Sequence, residues 1–164
     1  MTQSLEVQWP DYYQPRNCPV HVRNELDMTA VQEHVWAWLL RSTLWPTWYI
    51  NSANVKILEG RGPDLQMGTR FRWKTFGVTI TSTVLEYVPC ECIAWNAHTF
   101  GIDAYHAWVL QPSAQGCHVL TEETQHGWLA RLGKLLMPNR MYKFHQLWLE
   151  GLATKALTGL PLEA

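Results

Sequence analysis

Charged residues are scarce in this chain, and neither sign is concentrated in one region. They make up 16% of the 164 residues, and 13 basic residues against 14 acidic ones leave a net charge of −1 at pH 7. A nucleic-acid-binding domain needs a basic patch or stripe, and a polybasic membrane anchor needs a cluster of Lys and Arg. We therefore expect no nucleic-acid partner and no membrane anchor of this kind.

Long apolar runs are missing as well. No stretch approaches the ~20 apolar residues that a membrane-spanning helix needs, so we expect no membrane span. The opening residues, MTQSLEVQWPDYYQPRN, lack the basic region followed by an apolar region that marks a secretory signal. We therefore expect a cytoplasmic protein.

Metal-binding and redox motifs are absent too. The four cysteines, Cys18, Cys90, Cys92 and Cys117, fit neither a zinc ribbon nor a Cys-x-x-Cys motif. Cys90 and Cys92 would share one face of a strand, but reduced, partly buried thiols are the simpler interpretation. The histidines show no His-x-x-x-His spacing. The spacing along the chain therefore predicts neither a metal nor a cofactor.

The first part of the chain predicts an arm, a strand and two short helices. Residues 1–16 are polar and interrupted by proline, which predicts a loosely held polar N-terminal arm before a single domain at 17–160. Polar and apolar residues alternate over 18–26, as in a half-buried strand. Apolar residues at helical spacing follow, and Pro46 divides them into two short helices.

Alternation with a period of two then resumes and predicts six more strands. The connections between them are short and turn-like, which predicts antiparallel hairpins. These strands are 52–59, 69–75, 78–87, 92–99, 104–111 and 117–125. Helical spacing returns at Trp128–Met137, ends at Pro138, and continues as a long amphipathic helix over 139–158.

This order of elements predicts an α+β fold. Seven antiparallel strands would form a curved sheet, and one face of such a sheet must be covered by another layer. The long C-terminal helix is the predicted element with enough length to cover it. A curved sheet that grips one helix leaves a space between the two, and this space is where we expect a ligand.

Several segments carry a resemblance to a known family. In chain order they read VHVRNELDMTAVQEHVWAWL, LWPTW, GTRFRWKTFGVTITSTVLEYVP, IAW, HAWVLQP, GCHVLTEETQHG and HQLWLEGL. Over roughly residues 18–158 the chain resembles the START-related SRPBCC superfamily, which includes polyketide cyclases and dehydrases and has the helix-grip fold. The resemblance implies this fold. It does not imply one function, because members bind lipids or hormones, cyclise polyketides or activate chaperones.

Three ionisable side chains are candidates for chemistry in the expected space. His106 shares a strand face with Trp108, and His145 lies opposite the polar stripe of the last helix. In the sequence TEET, Glu122 and Glu123 cannot both point inward; the pattern favours Glu123 without deciding. A buried neutral imidazole suits a general base. The simpler alternatives are core histidines satisfied by hydrogen bonds and a solvated glutamate.

Large apolar residues are the candidates for the wall of this space. The chain has 10 Trp, although the indole N–H makes Trp a costly filler for an ordinary core. Core packing explains each ring taken alone, but so many rings on facing elements are hard to pack without voids. The predicted ligand-binding residues are Trp45, Trp48, Trp73, Ile80, Trp95, Trp108, Met141 and Trp148.

These features support three functional hypotheses. The favoured one is binding of a small hydrophobic, aromatic, polyketide-like or lipid-like ligand. The alternative is a cyclase or dehydrase in which His106 is the base and Glu123 or His145 its partner. The third is a protein-interaction role of the chaperone-activator type, for which Trp128–Met137 offers an apolar surface. The sequence does not determine the oligomeric state, and a homodimer is left open.

Overall fold

The computed structural model describes residues 6–162. Seven strands are formed: β1 (Val20–Met28), β2 (Ala53–Glu59), β3 (Arg70–Thr75), β4 (Val78–Val88), β5 (Cys92–Thr99), β6 (Ile102–Ser113) and β7 (Gly116–His126). The α-helices are α1 (Gln32–Leu40), α2 (Trp128–Leu136) and α3 (Arg140–Ala156). Short 3-10 helices span Asp11–Tyr13, Pro15–Asn17 and Ser42–Thr47.

The strands form one antiparallel sheet in the order β1-β7-β6-β5-β4-β3-β2. From β2 to β7 each strand pairs with the next one along the chain, and β1 joins the far edge beside β7. The order of elements, the seven-stranded sheet and the helix-grip architecture predicted from the sequence are therefore confirmed. Of the two short helices after β1, the first is α-helical and the second is a 3-10 helix that contains Pro46.

Alternating side chains give the sheet one apolar face for the helix. In β3 the buried positions are Phe71, Trp73 and Thr75, and the residues between them are exposed. This period of two places every second residue on the concave face. Helix α3 lies against that face and buries Trp148 and Leu152 among other side chains. The concave face and α3 together therefore enclose the main core.

The opposite face of the sheet carries a second, smaller core. Val7 and Tyr13 are buried there against Tyr105 and Leu120. The Tyr13 hydroxyl donates a hydrogen bond to an Asp103 carboxylate oxygen at 2.6 Å. The described part of the predicted arm is thus packed on the sheet rather than loosely held. Residues 1–5 of that arm lie outside the described residues.

Helix α2 bridges the last strand and the long helix. It ends at Leu136, and α3 begins at Arg140, so Pro138 separates two helices as predicted. One side of α2 exposes apolar side chains, including Trp128, Leu135 and Leu136. Among the described residues, no helix combines the length and the apolarity needed to span a bilayer.

Candidate functional site

A cavity of about 290 Å³ lies between the concave face of the sheet, α2 and α3. Its floor is formed by strands of the sheet and by α3, and Leu129, Ala130 and Gly133 of α2 cover one side. The lining is mainly apolar. Its size approaches the range of roughly 300–1,000 Å³ that is usual for small-molecule sites.

The three ionisable candidates meet in this cavity. His106 on β6 and Glu123 on β7 are directly paired across the two strands, so both side chains point to the same face. His145 comes from α3, which packs against that face. All three are buried, with His106 2% exposed, Glu123 8% and His145 1%. Strand pairing and helix packing therefore bring together residues that are far apart in the sequence.

Glu123 is the centre of this polar cluster. Its Oε2 atom lies 3.2 Å from His106 Nδ1 and 3.1 Å from His145 Nε2. Its Oε1 atom accepts a hydrogen bond from Gln125 Nε2 at 2.6 Å. The second ring nitrogen of His106 lies 2.7 Å from the Thr121 hydroxyl oxygen. The carboxylate therefore links the sheet to α3.

The environment sets the charge of these groups. Burial lowers the pKa of His106 to about 3, although the neighbouring Glu123 opposes this shift, so the imidazole is neutral at pH 7. Burial alone would raise the pKa of Glu123. The hydrogen bond from His145 and the charge interactions with both histidines outweigh it and lower that pKa to about 2. The cavity thus contains an ionised carboxylate beside a neutral imidazole.

Neighbouring Glu122 points the other way. Its carboxylate pairs with His21 at 2.6 Å and with Arg23 at 2.9 Å, and both partners lie on β1. Because successive side chains of a strand face opposite sides, this leaves Glu123 toward the cavity. The register of β7 answers the question that the TEET pattern left open.

Five of the large apolar candidates line the cavity. They are Trp73, Ile80, Trp95, Met141 and Trp148. Trp95 and Trp148 also contact the His106 ring, with ring centroids 5.3 Å apart in both cases. These residues therefore surround the polar cluster with aromatic and aliphatic surface.

Trp45, Trp48 and Trp108 do not line the cavity, contrary to the expectation from the sequence. Trp45 is fully buried and packs edge-on against Trp148, with ring centroids 5.1 Å apart. Trp108 packs in the same way against Trp148 at 5.0 Å. Trp48 lies against the backbone of α3 near Gly151. Edge-to-face contacts between rings allow them to fill the core without a void.

Several buried polar atoms near the cavity have no hydrogen-bond partner among the described residues. Two belong to the indole N–H groups of Trp95 and Trp148, and a third is Nδ1 of His145. All three residues contribute to the cavity lining. Buried polar groups without partners are rare in folded proteins. These buried atoms therefore lie in residues of the cavity wall and have hydrogen-bonding capacity that the described residues leave unused.

The sequence analysis missed the small residues that create the space. Ala97 and Ala104 line the cavity on neighbouring strands and are paired with each other. Ala97 lies two residues after Trp95, and Ala104 lies two residues before His106, so each shares a strand face with that residue. The same period-two pattern that predicts Trp95 and His106 could therefore have identified the two alanines. The α2 residues were not predictable in this way, because their position depends on how the helix packs over the cavity.

Comparisons with known proteins agree with this geometry. The family described as "Polyketide cyclase / dehydrase and lipid transport" matches residues 19–161. The crystal structure of hypothetical protein jhp0584 from Helicobacter pylori is 28% identical, with a TM-score of 0.87, and the match covers 95% of this chain and 99% of that one. Among curated proteins, no sequence matches this chain.

Two further solved structures share the fold at lower identity. TTHA0849 from Thermus thermophilus is 18% identical, with a TM-score of 0.69 over 85% of this chain and 98% of that one. The di-domain ARO/CYC StfQ from the steffimycin biosynthetic pathway is 14% identical, with a TM-score of 0.69. That match covers 85% of this chain and 51% of StfQ.

The fold and its cavity define a helix-grip protein of the START-related SRPBCC class, as the resemblance implied. The chain belongs to the polyketide cyclase/dehydrase and lipid transport family. This family joins ligand binding and cyclase-type chemistry, so membership alone does not choose between them.

Proposed function

We propose that this protein binds a small, mainly apolar molecule that also carries hydrogen-bonding oxygen atoms. The observation that carries this proposal is the cavity of about 290 Å³, whose mainly apolar lining includes the polar side chains of His106, Glu123 and His145. An apolar ligand body would pack against Trp95 and Trp148. Its oxygen atoms would face the polar cluster of Glu123 and the two histidines.

Binding is supported by how well the cavity is preorganised. His145 is held by Glu123 at 3.1 Å, and Trp148 is stacked on Tyr49 with centroids 4.5 Å apart and an interplanar angle of 7°. Side chains fixed in this way lose little conformational entropy when a ligand binds. Polyketide-like, aromatic and lipid-like molecules all have the required combination of apolar body and few oxygen atoms.

The test is native against denaturing mass spectrometry, followed by ligand titrations monitored by Trp fluorescence. A mass excess that disappears on denaturation would give the mass of a co-purified ligand. Aromatic polyketides, fatty acids and phenols form the titration panel. Saturable quenching with one site per chain supports the proposal, and absence of saturable binding across the panel overturns it.

An enzyme of the cyclase or dehydrase type is the second candidate. One observation favours it: His145 is oriented by Glu123 through Nε2, while its Nδ1 atom has no partner within residues 6–162. An imidazole held by a carboxylate through one nitrogen, with the other nitrogen unpartnered, is the usual arrangement of a general base, and a substrate would have to reach this buried atom. Both ring nitrogens of His106 have neighbours, so the geometry favours His145 as the base and His106 as a positioning residue.

A poly-β-ketone thioester analogue is the substrate to test, because StfQ is described as an ARO/CYC. We expect His145→Gln to abolish turnover while the affinity for the analogue changes little. Equal turnover by the wild type and His145→Gln, or no turnover by either, would reject the enzymatic role and leave the binding role as the conclusion.

A further inference from the structure

The His106, Glu123 and His145 side chains have the geometry of a metal site. One ligand atom from each residue lies within 4.8 Å of the other two. The Glu123 Oε2 atom is 3.2 Å from His106 Nδ1 and 3.1 Å from His145 Nε2. Ligand atoms about 2.0–2.1 Å from a tetrahedral Zn²⁺ lie about 3.3 Å from one another. The two separations from Glu123 therefore match those around a shared ion, and the third is within 4.8 Å.

The partners of the Glu123 carboxylate also suit a metal site. Within residues 6–162, the ion-pair partners of the buried Glu123 carboxylate are the two histidines, and no Lys or Arg pairs with it. A buried carboxylate is costly unless it is paired with a positive charge or binds a metal ion. Two imidazole nitrogens beside one carboxylate oxygen are the set of ligand atoms found in many zinc sites.

Hydrogen bonds from neighbouring residues hold the candidate ligand side chains in position. Metal-binding His and carboxylate groups are oriented by a second layer of hydrogen bonds. Here Thr121 holds the second nitrogen of His106, and Gln125 donates to the second oxygen of Glu123 at 2.6 Å. The three ligands come from two adjacent strands and one helix, so the packing of the fold fixes their positions.

We propose that His106 Nδ1, Glu123 Oε2 and His145 Nε2 bind one divalent transition-metal ion of the zinc class at the floor of the cavity. Two imidazole nitrogens and one carboxylate oxygen suit such ions, and three protein ligands leave a coordination position open. That position faces the cavity, where an oxygen atom of a bound molecule would occupy it. The inference goes beyond the proposed ligand binding and does not depend on it.

The test begins with protein that has been dialysed against a chelator and then titrated with Zn²⁺ by calorimetry. We expect one equivalent to bind to the wild type, and Co²⁺ to produce visible absorption bands at the same stoichiometry. Glu123→Gln and His145→Gln should each lose more than about 100-fold in affinity, since loss of a second-layer partner alone costs about 10–100-fold.

His118→Gln is the matched control, because His118 pairs with Asp27 at 2.7 Å on the exposed surface. It should bind Zn²⁺ like the wild type. Failure of the wild type to bind one equivalent of Zn²⁺ would overturn the proposal. It would also be overturned if Glu123→Gln still bound Zn²⁺ and His118→Gln did not. Circular dichroism and titration with an apolar fluorescent probe show separately whether each variant is folded and whether its cavity still binds ligands.

Discussion

His145 Nε2 on the last helix lies 3.1 Å from Glu123 Oε2 on the last strand, and this contact closes the floor of the cavity. The two residues come from the two layers of the fold. Their contact therefore fixes how α3 sits on the sheet as well as the orientation of the imidazole. A polar contact with both roles should affect stability and ligand binding together.

Replacing Glu123 with Ala should destabilise the protein. The change leaves the His106 and His145 rings buried without their carboxylate partner. Unsatisfied buried polar groups cost about 1–3 kcal/mol each, so we expect the free energy of unfolding to fall by at least ~1 kcal/mol. Urea denaturation measures this change.

Glu59→Ala is the control for that experiment. Glu59 forms an exposed ion pair with Arg70 at 2.9 Å, and exposed pairs contribute about 0–1 kcal/mol. If Glu123→Ala were as stable as the wild type, or no less stable than Glu59→Ala, the buried contact would not have the structural role assigned to it.

Two glycines, Gly133 within α2 and Gly127 just before it, should respond in opposite ways to substitution by Ala. A Cβ at Gly133 of α2 meets no atom within 4 Å, whereas one at Gly127 collides with the carbonyl oxygen of Gly101. Gly127 also has a φ of +108°, a conformation that L-residues rarely adopt. Gly133→Ala should raise the free energy of unfolding by about 0.5–1 kcal/mol, because Ala is the better helix former.

Gly127→Ala should lower the same quantity and the melting temperature. Thermal and urea unfolding of both variants and the wild type, prepared in parallel, measure these changes. If Gly133→Ala were the destabilised variant, α2 would not lie over the cavity as described, since its Cβ would have to meet a neighbour.

The cysteines should differ in reactivity. Burial raises the pKa of the Cys117 thiol to about 11 and raises the pKa of Cys92 as well. A thiol with a pKa of about 11 is only about 1% thiolate at pH 9, and the thiolate is the reactive form. Cys90 is only partly buried.

We therefore expect iodoacetamide at pH 8 to modify Cys90 in the native protein and to modify Cys92 and Cys117 only after unfolding. Peptide mass mapping measures each site. Between pH 7 and pH 9 the thiolate fraction of Cys117 should rise about 100-fold but reach only about 1%, because its pKa of about 11 lies above that range, so its reaction in native buffer should stay slow. Rapid modification of Cys117 in the folded state would contradict its burial in the core.

The fold could be predicted because its signals are local. The period-two alternation of residues such as Phe71 and Trp73 identifies each strand, and short turns between strands require antiparallel neighbours. A seven-stranded sheet with one long apolar helix then leaves few arrangements. The packing of Val7 against the outer face was not visible, because an isolated apolar residue in a polar segment carries no periodic signal.

The site was only partly predictable. Face assignment identified His106, Glu123 and His145, because each lies at a definite position of a strand or helix pattern. It could not show that Trp45 and Trp108 belong to the core and not to the cavity wall. Core rings and cavity-wall rings occupy the same side of the sheet, and only the packing of neighbouring rings such as Trp148 distinguishes them.

The prediction from the sequence that no metal binds is limited in a similar way. It rests on spacing along the chain, whereas the candidate ligands come from three elements that meet only in the folded protein. Sequence spacing detects metal ligands that share one element or loop. It does not detect ligands that strand pairing and helix packing bring together.

Filling the cavity is the most direct test of the central claim that this space binds ligands. Ala97→Phe places a ring in the cavity of about 290 Å³, whereas His98→Phe places the same ring on the exposed face of the same strand. The measurement is a fluorescence titration of both variants and the wild type with phenylnaphthylamine, an apolar probe. We predict saturable binding to the wild type and to His98→Phe, and a loss of more than about tenfold in affinity, about 1.4 kcal/mol, for Ala97→Phe. Equal affinity of Ala97→Phe and His98→Phe would contradict the claim.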